Sequence, residues 1–247
     1  MSLFGVTGLT VGPKNSSISI LNNIDLEIRS KKVTVLLGES GAGKTILCKT
    51  LSGLIPDGLL IRSGDFRACG RRVSHRWIQK NRGSFVFYAP QNASASLNPV
   101  RKIRNQLREV NNGSSDSLFG ILQKLGFRDC RRILNSYPFE LSGGENQRCL
   151  LAMAIILSPR LLIMDEPVTS LDVFLQYEFL RLVKDICRQH SMTVLLVTHN
   201  LELARDWSDY LYVMYRGEVV ESGDFAEVMQ RPAHFYTRKL QENFQWS

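Results

Sequence analysis

"KKVTVLLGESGAGKT" (residues 31–45) joins a β-branched, leucine-rich run to a glycine-rich loop and then to a helix-forming segment. The run 31–38 is apolar almost throughout, as a strand covered on both faces of a parallel sheet must be. "GESGAGKT" (38–45) satisfies G-x-x-x-x-G-K-[ST] in full. It has the context that the motif requires, with a strand before it and a helix after it. Gly38, Gly41 and Gly43 allow positive φ and a tight curl, so that the N–H groups of Glu39, Ser40 and Ala42 face inward toward phosphate oxygens. The helix N-terminus adds its positive end. Lys44 supplies a point charge for β- and γ-phosphates, and Thr45 a hydroxyl for Mg²⁺.

Outward from this loop the pattern repeats. "GSFVFYAP" (83–90), "RLLIMDEP" (160–167) and "MTVLLVTHN" (192–200) are further apolar runs closed by polar or turn residues. Helical stretches are expected at 45–54, 144–157, 172–189 and 200–207. Strand followed by helix, repeated, predicts an α/β fold with a mostly parallel sheet. Residues 93–140 break the rhythm, with basic helical segments near 101–110 and 118–134 around a turn cluster "NNGSSDS" (111–117), and read as a helical insertion.

Composition excludes several classes. A chain of 247 residues, 44% hydrophobic, can bury a sizeable core without disulfides. The five cysteines (48, 69, 130, 149, 187) are scattered, odd in number and form no CxxC pair, which argues against a disulfide framework or a zinc site and fits a reducing compartment. No run approaches the roughly 18 apolar residues of a membrane span, and "MSLFGVTGLT" lacks the basic and apolar regions of a signal peptide. The formal charge of +8 suits an anionic partner, but the basic residues are spread as on an ordinary solvated surface.

Three further motifs carry chemistry. "LLIMDEP" (161–167) brings Asp165 to the carboxyl end of a strand, where it can hold Mg²⁺, and sets Glu166 beside it to polarise a water attacking a γ-phosphate. His199 ends its own strand, placed either to contact the γ-phosphate or to orient the glutamate and water. "ELSGGENQR" (140–148) offers Ser142, Gly143, Gly144 and a helix start, a second phosphate cradle without a lysine or a magnesium ligand, and so half a site.

The loop 38–45, Gln91 after a strand, the serine-glycine loop, the Asp165–Glu166 pair and the terminal His199 stand in the order of the ATP-binding cassette family and resemble it over almost the whole chain. The resemblance implies a P-loop NTPase (RecA-like) core, an N-terminal antiparallel β region and an inserted helical subdomain. It implies one nucleotide-binding domain over 1–247, with the ATP core at 1–91 and 158–247 and the helical subdomain at 92–157. It also implies ATP and Mg²⁺ as ligands, with Glu166, His199 and Gln91 catalytic and Thr45, Gln91 and Asp165 toward the metal. By the same resemblance Ser142, Gly143 and Gly144 read the ATP of a partner subunit in a head-to-tail dimer, and Asp172 of "TSLD" belongs to the dimer-crossing loop. Two departures stand out. No aromatic residue in "LTVGPKNSSISIL" is placed to stack on adenine, leaving Ile18 or Ile20 for that role, and Val168 follows Pro167 where threonine is commoner.

"SLNP" (96–99), "SYPFELSGG" (136–144) and "PAHFYTRKL" (232–240) look like the oligopeptide, dipeptide and nickel importer branch, although Phe235 stands where that branch usually has proline. With no cysteine after Cys187, the iron–sulfur site of some longer relatives is not expected. The branch implies a second ATPase chain, a paralogue or else a second copy of this one, two transmembrane permeases, an extracytoplasmic substrate-binding protein, no nucleic acid, and a peripheral place on the cytoplasmic face of the membrane. The competing reading, a DNA-repair or chromosome ATPase, calls for inserted heptads or zinc modules, which this sequence lacks.

Overall fold

The computed structural model describes residues 1–111, 117–168 and 173–242. Asp172 and most of the expected turn cluster at 111–117 lie outside them. In chain order the strands are β1 (Ser2–Pro13), β2 (Leu21–Arg29), β3 (Val33–Gly38), β4 (Leu59–Ala68), β5 (Arg71–Val73), β6 (Val86–Ala89), β7 (Leu161–Asp165), β8 (Thr193–Thr198), β9 (Tyr210–Tyr215) and β10 (Glu218–Gly223). The helices are α1 (Lys44–Leu51), α2 (His75–Lys80), α3 (Ile103–Val110), α4 (Leu118–Lys124) and α5 (Cys130–Asn135), followed by α6 (Gly143–Leu157), α7 (Val173–Gln189), α8 (Leu201–Trp207), α9 (Phe225–Gln230) and α10 (Phe235–Glu242). The α/β class expected from the strand-and-helix rhythm is the one observed. No helix among the described residues is long and apolar enough to cross a membrane.

The chain divides into two compact units. The first joins Met1–Arg82 to Thr193–Ser247. It holds an antiparallel sheet ordered β2-β1-β4-β5 and a second sheet in which β3 lies parallel between β8 and β9, with β10 antiparallel on β9. The two sheets read differently in sequence because their faces differ. In β2, Leu21, Ile24, Leu26 and Ile28 are buried and the residues between them exposed, the alternation of a sheet with one wet face. In β3, five consecutive residues from Thr34 to Gly38 are buried, as a strand covered on both faces must be. Tyr212 of β9 ties the sheets together. Its hydroxyl accepts from the Glu27 amide of β2 at 2.9 Å and donates to the Glu27 carbonyl at 3.1 Å.

The second unit, Gly83–Met192, pairs β6 with β7 in parallel and packs α6 on β6. α3 and α4 pack on α6 and on α5. The expected helical stretch 118–134 is broken into α4 and α5 at Gly126, whose φ of +77° ends the first helix. α6 is buried from Cys149 through Ile155, so its fixed N-terminal end projects the serine-glycine motif from a rigid support.

Candidate phosphate-handling sites

In the first unit the loop 38–45 is curled at two of the three expected glycines; Gly38 is not left-handed, and it is close approach that excludes a side chain there, since a Cβ would run into the Met214 carbonyl oxygen. Gly41 and Gly43 have φ of +85° and +99°, and Gly43 begins α1 with no side-chain cap, so the first-turn N–H groups remain available to an anion. A Cβ at Gly43 would also sit 2.9 Å from Leu21 Cδ2, so that side chain would have to move. Lys44 is 5% exposed, and its Nζ donates to the carbonyls of Gly38 at 2.7 Å and Glu39 at 2.8 Å. A buried ammonium that donates to carbonyl dipoles has an incentive to exchange them for phosphate oxygens, since a charge-assisted bond to an anion is roughly twice as strong as a neutral one. Thr45 is exposed at the helix start. His199 is exposed just beyond β8, and Asn200 after it caps α8 through the amides of Glu202 and Leu203.

The segment expected to lie beside an adenine is held by an unanticipated residue. Arg62 of β4 donates to the carbonyls of Pro13, Ser16 and Ser17 and to the Ser19 hydroxyl, fixing residues 13–19 and leaving Ile18 71% exposed. Of the two expected residues, Ile20 lies next to the loop, its carbonyl oxygen 3.4 Å from the Cβ position of Gly43, whereas the Ile18 carbonyl lies against Gly12.

In the second unit, β7 is buried along its whole length and delivers Asp165, 2% exposed, to its carboxyl end. The Tyr88 hydroxyl on neighbouring β6 donates to Asp165 Oδ2 at 3.0 Å. Sequence reasoning passed over Tyr88. The available signal was its place three residues before Gln91 on a strand that pairs with β7. Glu166 follows with φ of +47°. A non-glycine residue in that region, here also preceding proline, costs on the order of 1–3 kcal/mol and is kept where its side chain must be aimed. It is aimed at Gln91, whose Nε2 donates to Glu166 Oε2 at 3.3 Å. The structure thus brings together Gln91, Asp165 and Glu166, with Tyr88. Val168 is buried, so the departure from threonine is absorbed by packing.

Ser142, Gly143 and Gly144 start α6, but as a capping box. The Ser142 hydroxyl accepts from the Glu145 amide at 3.2 Å, and Glu145 Oε2 accepts from the Ser142 amide at 2.9 Å. Burial opposes the charge of Glu145. The Ser142 amide, the Arg132 guanidinium and the Ser142 hydroxyl outweigh it and hold the carboxyl below its ordinary range. A cleft of about 600 Å³ opens beside this helix start, where the cations Lys124, Arg148 and Arg181 face the anions Glu178 and Asp185. Ser142 and Gly143 are exposed and the hydroxyl retains its own proton to donate.

The sequence profile of the ABC transporter family matches residues 21–169. The nickel import system ATP-binding protein NikD of Staphylococcus aureus is 34% identical over 251 residues, covering 97% of this chain and 95% of that protein. The probable D,D-dipeptide transport ATP-binding protein DdpD of Escherichia coli is 34% identical over 235 residues, covering 90% of this chain and 72% of its own length. Against the uncharacterized ABC transporter ATP-binding protein YejF of Escherichia coli, at 32% identity, this chain spans about half of that protein, 48%. Among solved structures, an ATP-binding subunit of an ABC transporter superposes with a TM-score of 0.76 at 21% identity, over 98% of this chain and 100% of its own. A dimeric ATP-binding cassette bound to ADP and phosphate also gives 0.76 at 21%, over 90% of this chain and 99% of its own. This chain belongs to the ABC transporter family of ATP-binding subunits and has the family's P-loop NTPase fold.

Proposed function

We propose that this ABC ATPase binds Mg-ATP with the triphosphate in the loop Gly38–Thr45 and hydrolyses it to drive import of peptides, nickel or metal chelates through partner permeases. One observation carries the reading: the Lys44 ammonium, buried inside the curled loop and held by two backbone carbonyls, is positioned to trade them for β- and γ-phosphate oxygens. The donor set suits the metal. A threonine hydroxyl, the Asp165 carboxylate and the Gln91 amide oxygen are hard oxygen ligands of the kind Mg²⁺ takes alongside waters and phosphates. When bound, the ion would neutralise charge that develops on the phosphates.

The chain's own residues do the rest. Glu166, aimed by its left-handed backbone, accepts a hydrogen bond from the attacking water and aligns it; little covalent chemistry is asked of the protein in phosphoryl transfer. Gln91, bonded to Glu166, registers whether that carboxylate is in place. His199 is assigned to the γ-phosphate or to the glutamate and its water, and Asp172 to the dimer-crossing loop. Ser142, Gly143 and Gly144 are assigned to the nucleotide of a second ATPase chain. The helical subdomain, taken as 92–157 within a core of 1–91 and 158–247, is assigned to permease contact. The cargo classes come from relatives named for nickel import and dipeptide transport. A paralogous second ATPase, two permeases and an extracytoplasmic binding protein complete the proposed assembly on the cytoplasmic face of the membrane.

Reconstitution tests the reading: ATP turnover by the chain should rise when co-assembled with permeases encoded beside it and a loaded binding protein. Stimulation by DNA, with none by membrane partners, would replace importer by a nucleic-acid function.

A further inference from the structure

The end of β6 does more than pair with its neighbour. In the parallel register Tyr88 stands opposite Ile163, so the next residue of β7 on the same face is Asp165. The alternate residues Phe87, Ala89, Leu162 and Met164 turn to the other face, where they line a small apolar cavity with Leu150 and Leu151 of α6. Tyr88 is kept out of that cavity, and its hydroxyl crosses diagonally to donate to Asp165 Oδ2 at 3.0 Å. Three residues later Gln91 Nε2 donates to Glu166 Oε2 at 3.3 Å. The end of β6 thus supplies one donor to each of two consecutive carboxylates, and each of these bonds takes a single oxygen. The two carboxylates need such a donor unequally. Glu166 is only partly buried, whereas Asp165 is 2% exposed, so little water reaches it, and a buried charge without hydrogen bonds is costly.

We propose that Tyr88 is a positioning residue for the metal of Mg-ATP, its hydroxyl fixing the Asp165 carboxylate in the orientation in which Asp165 serves the ion. The inference rests on the reading that Asp165 serves that ion. A carboxylate turns readily about its Cβ–Cγ bond, and because the group is planar a hydrogen bond to one oxygen fixes the other as well. Mg²⁺ tolerates little misplacement, since it demands near-octahedral geometry. A group that hydrogen-bonds a metal ligand orients it before the ion arrives, and its loss is felt in metal affinity. Phenylalanine at position 88 would present the same ring on the same face of β6, so the phenolic oxygen is the part of Tyr88 that can be removed alone.

The test is Tyr88→Phe in the full chain, with Asp165→Asn as control. Two affinities are measured for each: that of a fluorescent ATP in EDTA, by equilibrium titration, and that of Mn²⁺, standing in for Mg²⁺, for the ATP-loaded chain, by electron paramagnetic resonance. Tyr88→Phe should raise the Mn²⁺ Kd about tenfold, the low end of what losing a ligand's hydrogen-bond partner costs a metal, because an ion of this kind keeps several waters. Its affinity for metal-free ATP should be that of the wild type, which also shows that the variant is folded. In steady-state ATPase assays the apparent KM for Mg²⁺ should rise by the same factor, with kcat at saturating Mg²⁺ within about twofold. An equal fall in both affinities would mark Tyr88 as merely structural and overturn the proposal. Wild-type Mn²⁺ affinity in Tyr88→Phe, with Mn²⁺ binding lost in Asp165→Asn, overturns the positioning role and leaves Asp165 at the metal. Unchanged Mn²⁺ affinity in Asp165→Asn overturns both.

Discussion

Two helices in this molecule begin with glycines, and they begin in opposite ways. α1 starts from a left-handed Gly43 with no side-chain cap and a buried lysine folded into the preceding curl. α6 starts with Gly143 and Gly144 already helical, and the amides of Ser142 and Glu145 are closed by their reciprocal bonds. The first end has no side-chain acceptor for its amides, whereas the second has a capping box and carries an anion of its own. The difference argues that the loop 38–45 is a receptor that takes phosphate into itself, and that the start of α6 is a finished, exposed edge suited to touching a phosphate that something else holds.

The largest effect that would break this contrast is catalytic. Replacing Glu166 by Gln should cut phosphate release by at least about a hundredfold while Mg-ATP binding stays normal, because only the water's alignment is lost. Near-normal turnover in the assembled transporter would remove Glu166 from its role. Lys44→Ala should weaken Mg-ATP binding itself by at least about tenfold, measured by equilibrium titration, since the charge facing the phosphates is gone. Unchanged affinity would erase the distinction between the two loops.

Much of this was legible beforehand, and the reason is local. The loop 38–45 announces itself because every glycine, the lysine and the threonine act within a few residues of one another, and the strands around it are buried enough to read as unbroken apolar runs. The Asp165–Glu166 pair was legible for the same reason. What escaped depends on contacts between distant segments. Tyr88 reaches Asp165 and Arg62 holds residues 13–19, and no spacing in the sequence records those meetings. The left-handed Glu166 was equally hidden, since its residue type does not call for that conformation. The capping box at α6 was a missed signal of another kind. "SGGE" is itself an S-x-x-E start, and the reading of a phosphate cradle drew attention from it.

That cap sharpens the contrast at smaller scale. Ser142→Ala should lower the stability of the chain by about 1 kcal/mol in denaturant melts, the usual worth of an N-cap. No side chain plays that part at Gly43. The Glu145 carboxyl, held below its ordinary range, contributes stability that is present above that range and is lost only as pH falls through its lowered value. The smallest expected effect belongs to His75, whose burial lowers its pKa although the Thr50 carbonyl opposes the shift. Protonation then favours the unfolded chain, so stability is full above the ordinary histidine value and declines as pH falls below it. Between about pH 7.5 and about pH 5.5 the melting temperature of the wild type should fall more than that of His75→Gln. Parallel curves would mean that His75 carries no such linkage.

The central claim is that one loop serves this chain's nucleotide and the other a partner's, and Ser142→Arg tests it most directly. The variant chain is assembled with its wild-type partner ATPase and permeases, and vanadate trapping with a photoreactive ATP shows which polypeptide holds trapped nucleotide. The account predicts that label is lost from the partner chain, whose phosphate site has lost its serine-glycine edge, while this chain, with Lys44 and Glu166 intact, loses label only as far as closure is shared. Label lost from this chain alone, with the partner trapped normally, would show that Ser142 acts on its own chain's nucleotide and would contradict the account.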